Sequence, residues 1–153
     1  MYTELLSQAI GIPAAGISPA SQAAGTYTTS AVDLGDWPQV EFRLDVGAIS
    51  TGGTVDFQIV GSATSGSSYT PITGTAITRL TEAGGDSNKT VTVCVTAEKI
   101  NSLGMGYRFI KGQLVTATAA ALAGVSIRGK DQHFGPASLK NDVSVAQQVL
   151  FFR

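Results

Sequence analysis

The sequence has few of the residues from which catalytic and metal sites are built. Its 153 residues include one cysteine, Cys94, and one histidine, His133. A single cysteine excludes an internal disulfide, and a lone histidine leaves a transition metal only carboxylates as further ligands. We interpret Cys94 as a small core or strand residue and His133 as a structural or turn residue. We predict no catalytic residue, no metal and no cofactor.

The motifs of common enzyme classes are also missing. No Gly-x-Ser-x-Gly elbow stands between a strand and a helix, and the phosphate-binding pattern Gly-x-x-x-x-Gly-Lys-Ser/Thr does not occur. Glu82, Asp86 and Asn88 share one loop and suit calcium, but polar residues at a turn explain them more simply. The sequence therefore predicts a protein that is not an enzyme.

Charge is scarce and unevenly distributed. Asp, Glu, Lys and Arg make up 14% of the residues, against roughly 25% in an average soluble domain. The first 98 residues carry nine acidic and three basic side chains, net −6, and the rest seven basic and two acidic, net +5, which together give −1. This balance argues against a nucleic-acid binder. Either strands from the two halves pair and neutralise each other, or neighbouring subunits carry the complementary charges.

Long apolar runs are missing as well. No run approaches the roughly 20 residues of a membrane-spanning helix, so we expect no membrane partner. The first twelve residues contain Glu4 and lack a basic start, which is not the pattern of a signal peptide. We therefore expect the protein to be made and folded in a cytoplasm.

Alternating segments dominate what the chain does contain. Apolar side chains at Val40, Phe42, Leu44 and Val46 alternate with charged ones. Because strand side chains point to opposite faces in turn, these four residues are predicted to line a buried face. Weaker patterns predict further strands at residues 26–32, 54–60, 69–72, 75–80, 90–96, 106–118 and 122–129.

Short strands separated by small polar turns predict an all-β protein with a single antiparallel β-sandwich or jelly-roll-like domain. We place the domain at residues 26–138, with an extended N-terminal arm at 1–25 and a C-terminal tail at 139–153. The turn at residues 50–53 predicts a hairpin that pairs its two flanking strands. Gly112 predicts a bulge or bend within its strand.

Both predicted extensions carry large apolar side chains. Residues 3–10 fit a short helix that ends before Gly11, and the tail fits either a strand or a helix. The tail either folds back to close the sandwich or anchors in a neighbouring protein, since aromatic residues concentrate at interface cores. We predict that the extensions bind a partner through Leu5, Leu6, Ile10, Leu150, Phe151 and Phe152.

Four segments resemble small β-rich proteins encoded in the head modules of tailed bacteriophages. They are residues 36–42 (DWPQVEF), 53–59 (GTVDFQI), 67–78 (SSYTPITGTAIT) and 107–109 (YRF). In order and spacing they are similar to capsid decoration, or cement, proteins, and the resemblance covers roughly residues 33–128. The extensions do not match, and no site residue carries over.

The resemblance implies a jelly-roll or related sandwich that forms a homotrimer on the outside of the capsid and locks neighbouring capsomers together. The implied partners are the major capsid protein and further copies of the chain, with no nucleic acid. The implied location is the capsid exterior of the virion, after synthesis in the cytoplasm of a bacterial host. The alternative is a carbohydrate- or receptor-binding module of a phage tail or a cell-surface protein.

Overall fold

In a computed structural model of the protein, which describes residues 10–66, 68–130 and 142, nearly all regular structure is β-strand. The described part contains one short helix, which follows the ninth strand. In chain order the elements are β1 (Ile10–Gly11), β2 (Ile17–Gln22), β3 (Gly25–Thr28), β4 (Val32–Asp33), β5 (Gln39–Ile49), β6 (Thr54–Ser62), β7 (Thr70–Pro71), β8 (Leu80–Thr81), β9 (Thr90–Thr96), α1 (Ala97–Ser102), β10 (Phe109–Ala117) and β11 (Ala121–Lys130).

The strands form two antiparallel sheets packed as a sandwich. Sheet A has the order β1–β11–β5–β9, with β2 also pairing β11, and sheet B has the order β3–β10–β6–β7, with β4 also pairing β10 and β8 pairing β6. The chain crosses between sheets after β2, β4, β5, β8, β9 and β10. When β1/β2, β3/β4 and β7/β8 each count as one interrupted strand, this is the eight-stranded jelly roll. The predicted fold class is therefore confirmed.

The core lies between the two sheets and is built from the alternating residues. Val40, Phe42, Leu44 and Val46 of β5 are all buried, as are the inward residues of β6. The rings of Phe42 and Phe57 meet across the sandwich, with their centroids 6.4 Å apart. The period-two pattern therefore predicted correctly which side chains of these strands face the core.

Gly112 does not mark a bulge, which was the first of the two predicted alternatives. The pairing of β10 with β6 runs without a register shift through Gly112, which lies opposite Ile59. A Cβ atom at position 112 would lie 2.8 Å from the Phe57 ring and 3.0 Å from the Phe42 ring. The glycine therefore makes room for the two core rings, and the described irregularities lie instead in β11.

The predicted hairpin at residues 50–53 is also wrong. The turn itself exists, closed by the bond from Gly53 N–H to Ser50 C=O at 2.8 Å. However, β5 pairs with β11 and β9, whereas β6 pairs with β10. The turn carries the chain from one sheet to the other. Two alternating strands can bury their apolar faces either as neighbours in one sheet or as members of two sheets that face each other. The alternating pattern therefore did not distinguish these two arrangements.

The segment predicted as a strand at residues 75–80 is mostly irregular. Only its end belongs to β8, and the rest follows the edge of β6 through isolated bonds. Thr75 Oγ1 accepts from Ile59 N–H at 3.1 Å, and Ile77 N–H donates to Phe57 C=O at 2.9 Å. A hydroxyl group thus replaces part of the backbone ladder, which alternation alone does not reveal.

The described part of the predicted N-terminal arm belongs to the sandwich. β1 and β2 both pair with β11, and Ala14 between them is buried. The sandwich therefore includes residues from Ile10 onward and does not begin at residue 26, because β11 is a central strand that needs a neighbour on each side. The predicted helix lies outside the described residues up to its last position, Ile10, which is in β1. The predicted tail also lies outside them, apart from Asp142.

The two halves of the chain interleave, which brings some of their opposite charges close together. β10 and β11 come from the basic half, and each lies between strands of the acidic half. Arg108 forms an ion pair with Asp33 at 2.7 Å, and Arg128 stands opposite Glu41 in the register of sheet A. Pairing within one chain thus brings the opposite charges together.

Candidate functional site

The first and last strands of the described sandwich lie side by side at one corner of sheet A. Ile10 pairs with Lys130, and Gly11 pairs with Gly129. The chain positions that precede Ile10 and follow Lys130 are therefore adjacent. Asp142 N–H donates to Ile12 C=O at 2.7 Å, next to β1. The two terminal segments that the sequence singled out thus connect to the described strands at one corner, although they are far apart in the sequence.

The corner rests on a tightly packed tryptophan. Trp37 is buried, and a Cβ atom on Gly129 would overlap its ring. The backbone N–H of Trp37 donates to Asp33 C=O at 3.0 Å, which holds the loop between β4 and β5 against the sheet. The indole ring thus packs directly on the backbone of β11 beside β1, and it ties the end of β11 to the core.

An ion pair fixes the same loop from the outside. Arg108 donates two hydrogen bonds to the Asp33 carboxylate, at 2.8 and 2.7 Å, and Gly35 N–H donates a third at 2.8 Å. These bonds, with the one from Arg108 foremost, hold the pKa of Asp33 below its usual range. Because the guanidinium is largely exposed, we expect the pair to position the loop more than it stabilises the fold.

A shallow cleft of about 210 Å³, here called the terminal cleft, opens on the outer face of sheet A at this corner. It crosses four neighbouring strands and has apolar and charged lining residues. They are Ile10, Gln39, Val40, Glu41, Cys94, Val95, Thr96, Arg128, Gly129 and Lys130. The volume is below the roughly 300 Å³ at which small-molecule pockets begin, so the terminal cleft suits a side chain of a partner better than a free ligand.

The thiol in the terminal cleft is not set up as a nucleophile. Cys94 Sγ lies 3.9 Å from Glu41 Oε2. Partial burial raises the pKa of the Cys94 thiol, and the neighbouring carboxylate raises it further. A thiol with a raised pKa stays protonated at neutral pH and reacts slowly. This agrees with the interpretation of Cys94 as a strand residue, and the structure places it in β9.

Charges on the rest of this outer face pair with one another. The Asp45 carboxylate accepts from the Thr90 hydroxyl at 2.7 Å and from Arg43 Nε at 3.1 Å. These two bonds, the one from Thr90 foremost, lower the pKa of Asp45. The face therefore presents alternating signs rather than one charged patch.

The outer face of sheet B is more neutral. Gln58 Nε2 on β6 donates a hydrogen bond to Gln113 Oε1 on β10 at 2.7 Å. Lys111 Nζ lies 4.2 Å from the centre of the Tyr69 ring and covers one side of it. A sugar stacking on that face of Tyr69 would compete with the lysine.

Within the described residues, no group of three or more His, Cys, Asp or Glu side chains is placed to hold a metal ion. Asp86, considered above for calcium, accepts from Thr81 N–H at 3.0 Å and from Lys89 Nζ at 2.6 Å. The Asp86 carboxylate thus bonds to groups of its own loop. No helix in the part of the chain that is described is long and apolar enough to cross a membrane.

Of the predicted partner-binding residues, the structure describes only Ile10, which is half-buried in β1 and lines the terminal cleft. The others, and His133, lie outside the described residues, so their role stays a prediction. Sequence reasoning missed the charged wall of the cleft, formed by Glu41, Arg128 and Lys130. No local signal marks it, because it depends on the pairing of β11 with β1 and β5.

Comparison with known proteins gives a likeness of fold. No family model matches the chain, and no curated protein matches its sequence. Among solved structures, the PBSX exported protein XepA matches with a TM-score of 0.54 and 12% identity, over 99% of this chain and 46% of that one. Structures of the Gx and Gt strains of infectious bursal disease virus match with TM-scores of 0.41, at 12% and 14% identity, over 84% of this chain. The chain spans less than half the length of each.

Proposed function

We propose that this protein is a capsid decoration protein of a tailed bacteriophage, which binds the outside of the shell and stabilises the head by bridging neighbouring capsomers. The observation that carries the proposal is the pairing of Ile10 with Lys130. This pairing brings the first and last described strands together, which supports a mechanism in which both apolar segments act from one corner of the sandwich. The major capsid protein is the proposed partner, and no catalytic step is involved.

Two segments that leave one corner have a physical advantage in attachment. Once the first segment binds a capsomer, the second is held close to the shell at a high effective concentration. Together they bind much more tightly than either alone. Leu5 and Leu6 on one segment, and Phe151 and Phe152 on the other, supply the apolar contacts in this proposal.

The body of the protein suits a decorating role. Its core is tightly packed, its described outer faces carry paired charges and amides, and its cleft is small. Jelly rolls serve as viral capsid domains and also as lectins, so the fold shared with the PBSX exported protein XepA does not by itself decide between the proposal and a carbohydrate-binding module. The lysine over one face of Tyr69 and the small volume of the terminal cleft favour the decorating role.

Co-sedimentation with purified capsids tests the proposal. We expect the full-length variants L5S/L6S and F151S/F152S each to lose at least tenfold in capsid affinity, because each removes one of two cooperating anchors. The matched control is L122S, which changes an exposed leucine of β11 that is 45% accessible. The control should bind like the wild type.

Unchanged capsid binding by both folded double variants would contradict the attachment mechanism. Saturable binding of the wild-type protein on a glycan array, without capsid binding, would instead favour the carbohydrate-binding alternative. The mass of the protein in solution tests the homotrimer that the resemblance implies.

A further inference from the structure

Strand β9 forms one edge of sheet A. β9 pairs with β5 along its whole length, from Thr90 opposite Asp45 to Thr96 opposite Gln39. On its other side, no strand of the described chain pairs with it. Thr90, Thr92, Cys94 and Thr96 are exposed. Within residues 10–66 and 68–130, a seven-residue strand thus ends the sheet with no strand paired along its outer side.

The hydrogen-bond pattern shows which backbone groups of β9 are directed outward. Ala97 N–H donates to Pro38 C=O at 2.8 Å, and Val46 N–H donates to Lys89 C=O at 2.9 Å. Because bonded and non-bonded pairs alternate along an antiparallel ladder, residues 91, 93 and 95 bond to β5. The N–H and C=O groups of Thr90, Thr92 and Cys94 therefore point away from the sheet.

The other sheet edges are protected and β9 is not. Natural proteins protect edges with proline, charged side chains or very short strands. β2 contains Pro19, β7 has two residues including Pro71, β8 has two residues and β3 has four. β9 has neither proline, glycine nor charge, and it is rich in β-branched residues that favour strand pairing.

The sequence of β9 is almost the same in both directions. It reads TVTVCVT, and an antiparallel copy centred on Val93 would place Thr90 opposite Thr96 and Thr92 opposite Cys94. In this register the outward-directed groups of Thr92 meet those of Cys94, as a hydrogen-bonded pair requires. The sequence symmetry and the hydrogen-bond alternation therefore agree on one register.

We propose that β9 pairs antiparallel with β9 of a second copy of the chain, about a two-fold axis at Val93, so that two A sheets join into one continuous sheet. On the core side, Val91, which is half-buried, would pack against Val95 of the second copy. At each end, Lys89 of one copy would approach Glu98 of the other, so the flanking charges are opposite in sign.

The proposed pairing is independent of the decorating function. An interface of this kind is isologous and produces a dimer, whereas the homotrimer that the resemblance implies requires a different, head-to-tail surface. The two arrangements are distinguished by mass and by their response to variants of β9.

Sedimentation equilibrium of the full chain, with variants at position 92, tests the pairing. T92P removes an outward N–H without touching the bonds to β5 and should weaken the dimer at least tenfold. T92A keeps the N–H and is the matched control, which should remain a dimer. T92E is a second variant that should also weaken the dimer. Within one chain the new carboxylate lies beside Arg43, which is favourable for folding. In the dimer it would lie near Glu41 of the second copy, and the two negative charges would repel each other. Circular dichroism checks that each variant is folded.

Cysteine cross-linking tests the register. Residues that face each other in a hydrogen-bonded pair have Cα atoms about 5.5 Å apart, within the range of about 4.4–6.8 Å that a disulfide accepts. T92C should therefore form a covalent dimer on oxidation through Cys94 of the second copy. The wild type should not, because its Cys94 faces a threonine.

A wild-type protein that stays monomeric at all concentrations would overturn the proposal. An oligomer whose mass is unchanged in both T92P and T92E would overturn it as well. A dimer in which wild-type Cys94 cross-links as readily as T92C would overturn the register centred on Val93.

Discussion

The two edges of sheet A differ in the way each is protected. At one edge the chain is interrupted between β1 and β2 and carries Pro19. At the other edge, β9 is regular and uncharged, and no strand of the described residues pairs along its outer side. Edge pairing is a hazard that sequences suppress where it has no use. The contrast indicates that one edge is shaped to avoid strand pairing and the other to permit it.

Disrupting the packed corner of the protected edge should have the largest effect. In G129A, the added Cβ would overlap the Trp37 ring, and overpacking of this kind costs about 1–3 kcal/mol in free energy of unfolding. Urea denaturation measures it. G66A is the control, because nothing lies within 4 Å of a Cβ at that position. Equal stability of the two variants would show that the corner is looser than described.

Opening the protected edge should make it resemble β9. In P19T the backbone regains an N–H and loses the ring that blocks pairing, so we expect self-association to increase about tenfold or to extend beyond dimers. Light scattering at several concentrations measures this. P71T is the control, since β7 has only two residues and is too short to guide another strand. Similar behaviour of P19T and the wild type would mean that Pro19 does not protect the edge.

The open edge carries a chemical reporter in Cys94. Since Glu41 adds to the raised pKa of the thiol, E41Q should lower this pKa and speed thiol labelling several-fold at pH 8. E82Q, in a distant loop, should label at the wild-type rate. In a β9-paired dimer both proteins should label more slowly as concentration rises. A rate that is the same at all concentrations would indicate that the edge remains exposed.

The smallest effect should come from the ion pair beside the protected edge. Because the folded-state pKa of Asp33 lies below its ordinary value near 3.8, the pair stabilises the fold above that pH and its contribution is lost as pH falls through the folded-state value. D33N should therefore lower the melting temperature by a few degrees or less at pH 7, and the difference from wild type should shrink below pH 4. A difference that is constant with pH would assign it to the loop rather than to the charge.

Alternation was a good guide to strands and a poor guide to their neighbours. Val55 and Phe57 were correctly predicted to face the core, because burial of one face is a local property that repeats every two residues. Whether β5 pairs with β6 or faces it across the core depends on β11, which lies some 70 residues further along. Glycines were misread for the same reason, since Gly112 is explained by rings from two distant strands.

The candidate sites show the same limit. The apolar residues near the two ends were evident from composition, but the closeness of the first and last described strands follows only from the pairing of Ile10 with Lys130. The open edge of β9 was visible in part, since its uncharged alternation is in the sequence. The position of β9 at the edge of the sheet could not be predicted from the sequence, because it depends on where all the other strands pair.

The strand order also has a consequence for biosynthesis. β10 and β11 are the last strands of the described chain, yet each is an inner strand of its sheet. While the ribosome is still translating residues before 109, neither sheet has its centre, and the earlier strands have few partners. Folding that depends on such non-local pairing is slow. Nascent chains of this protein should therefore remain unfolded, and available to chaperones, until nearly the whole sandwich has left the exit tunnel.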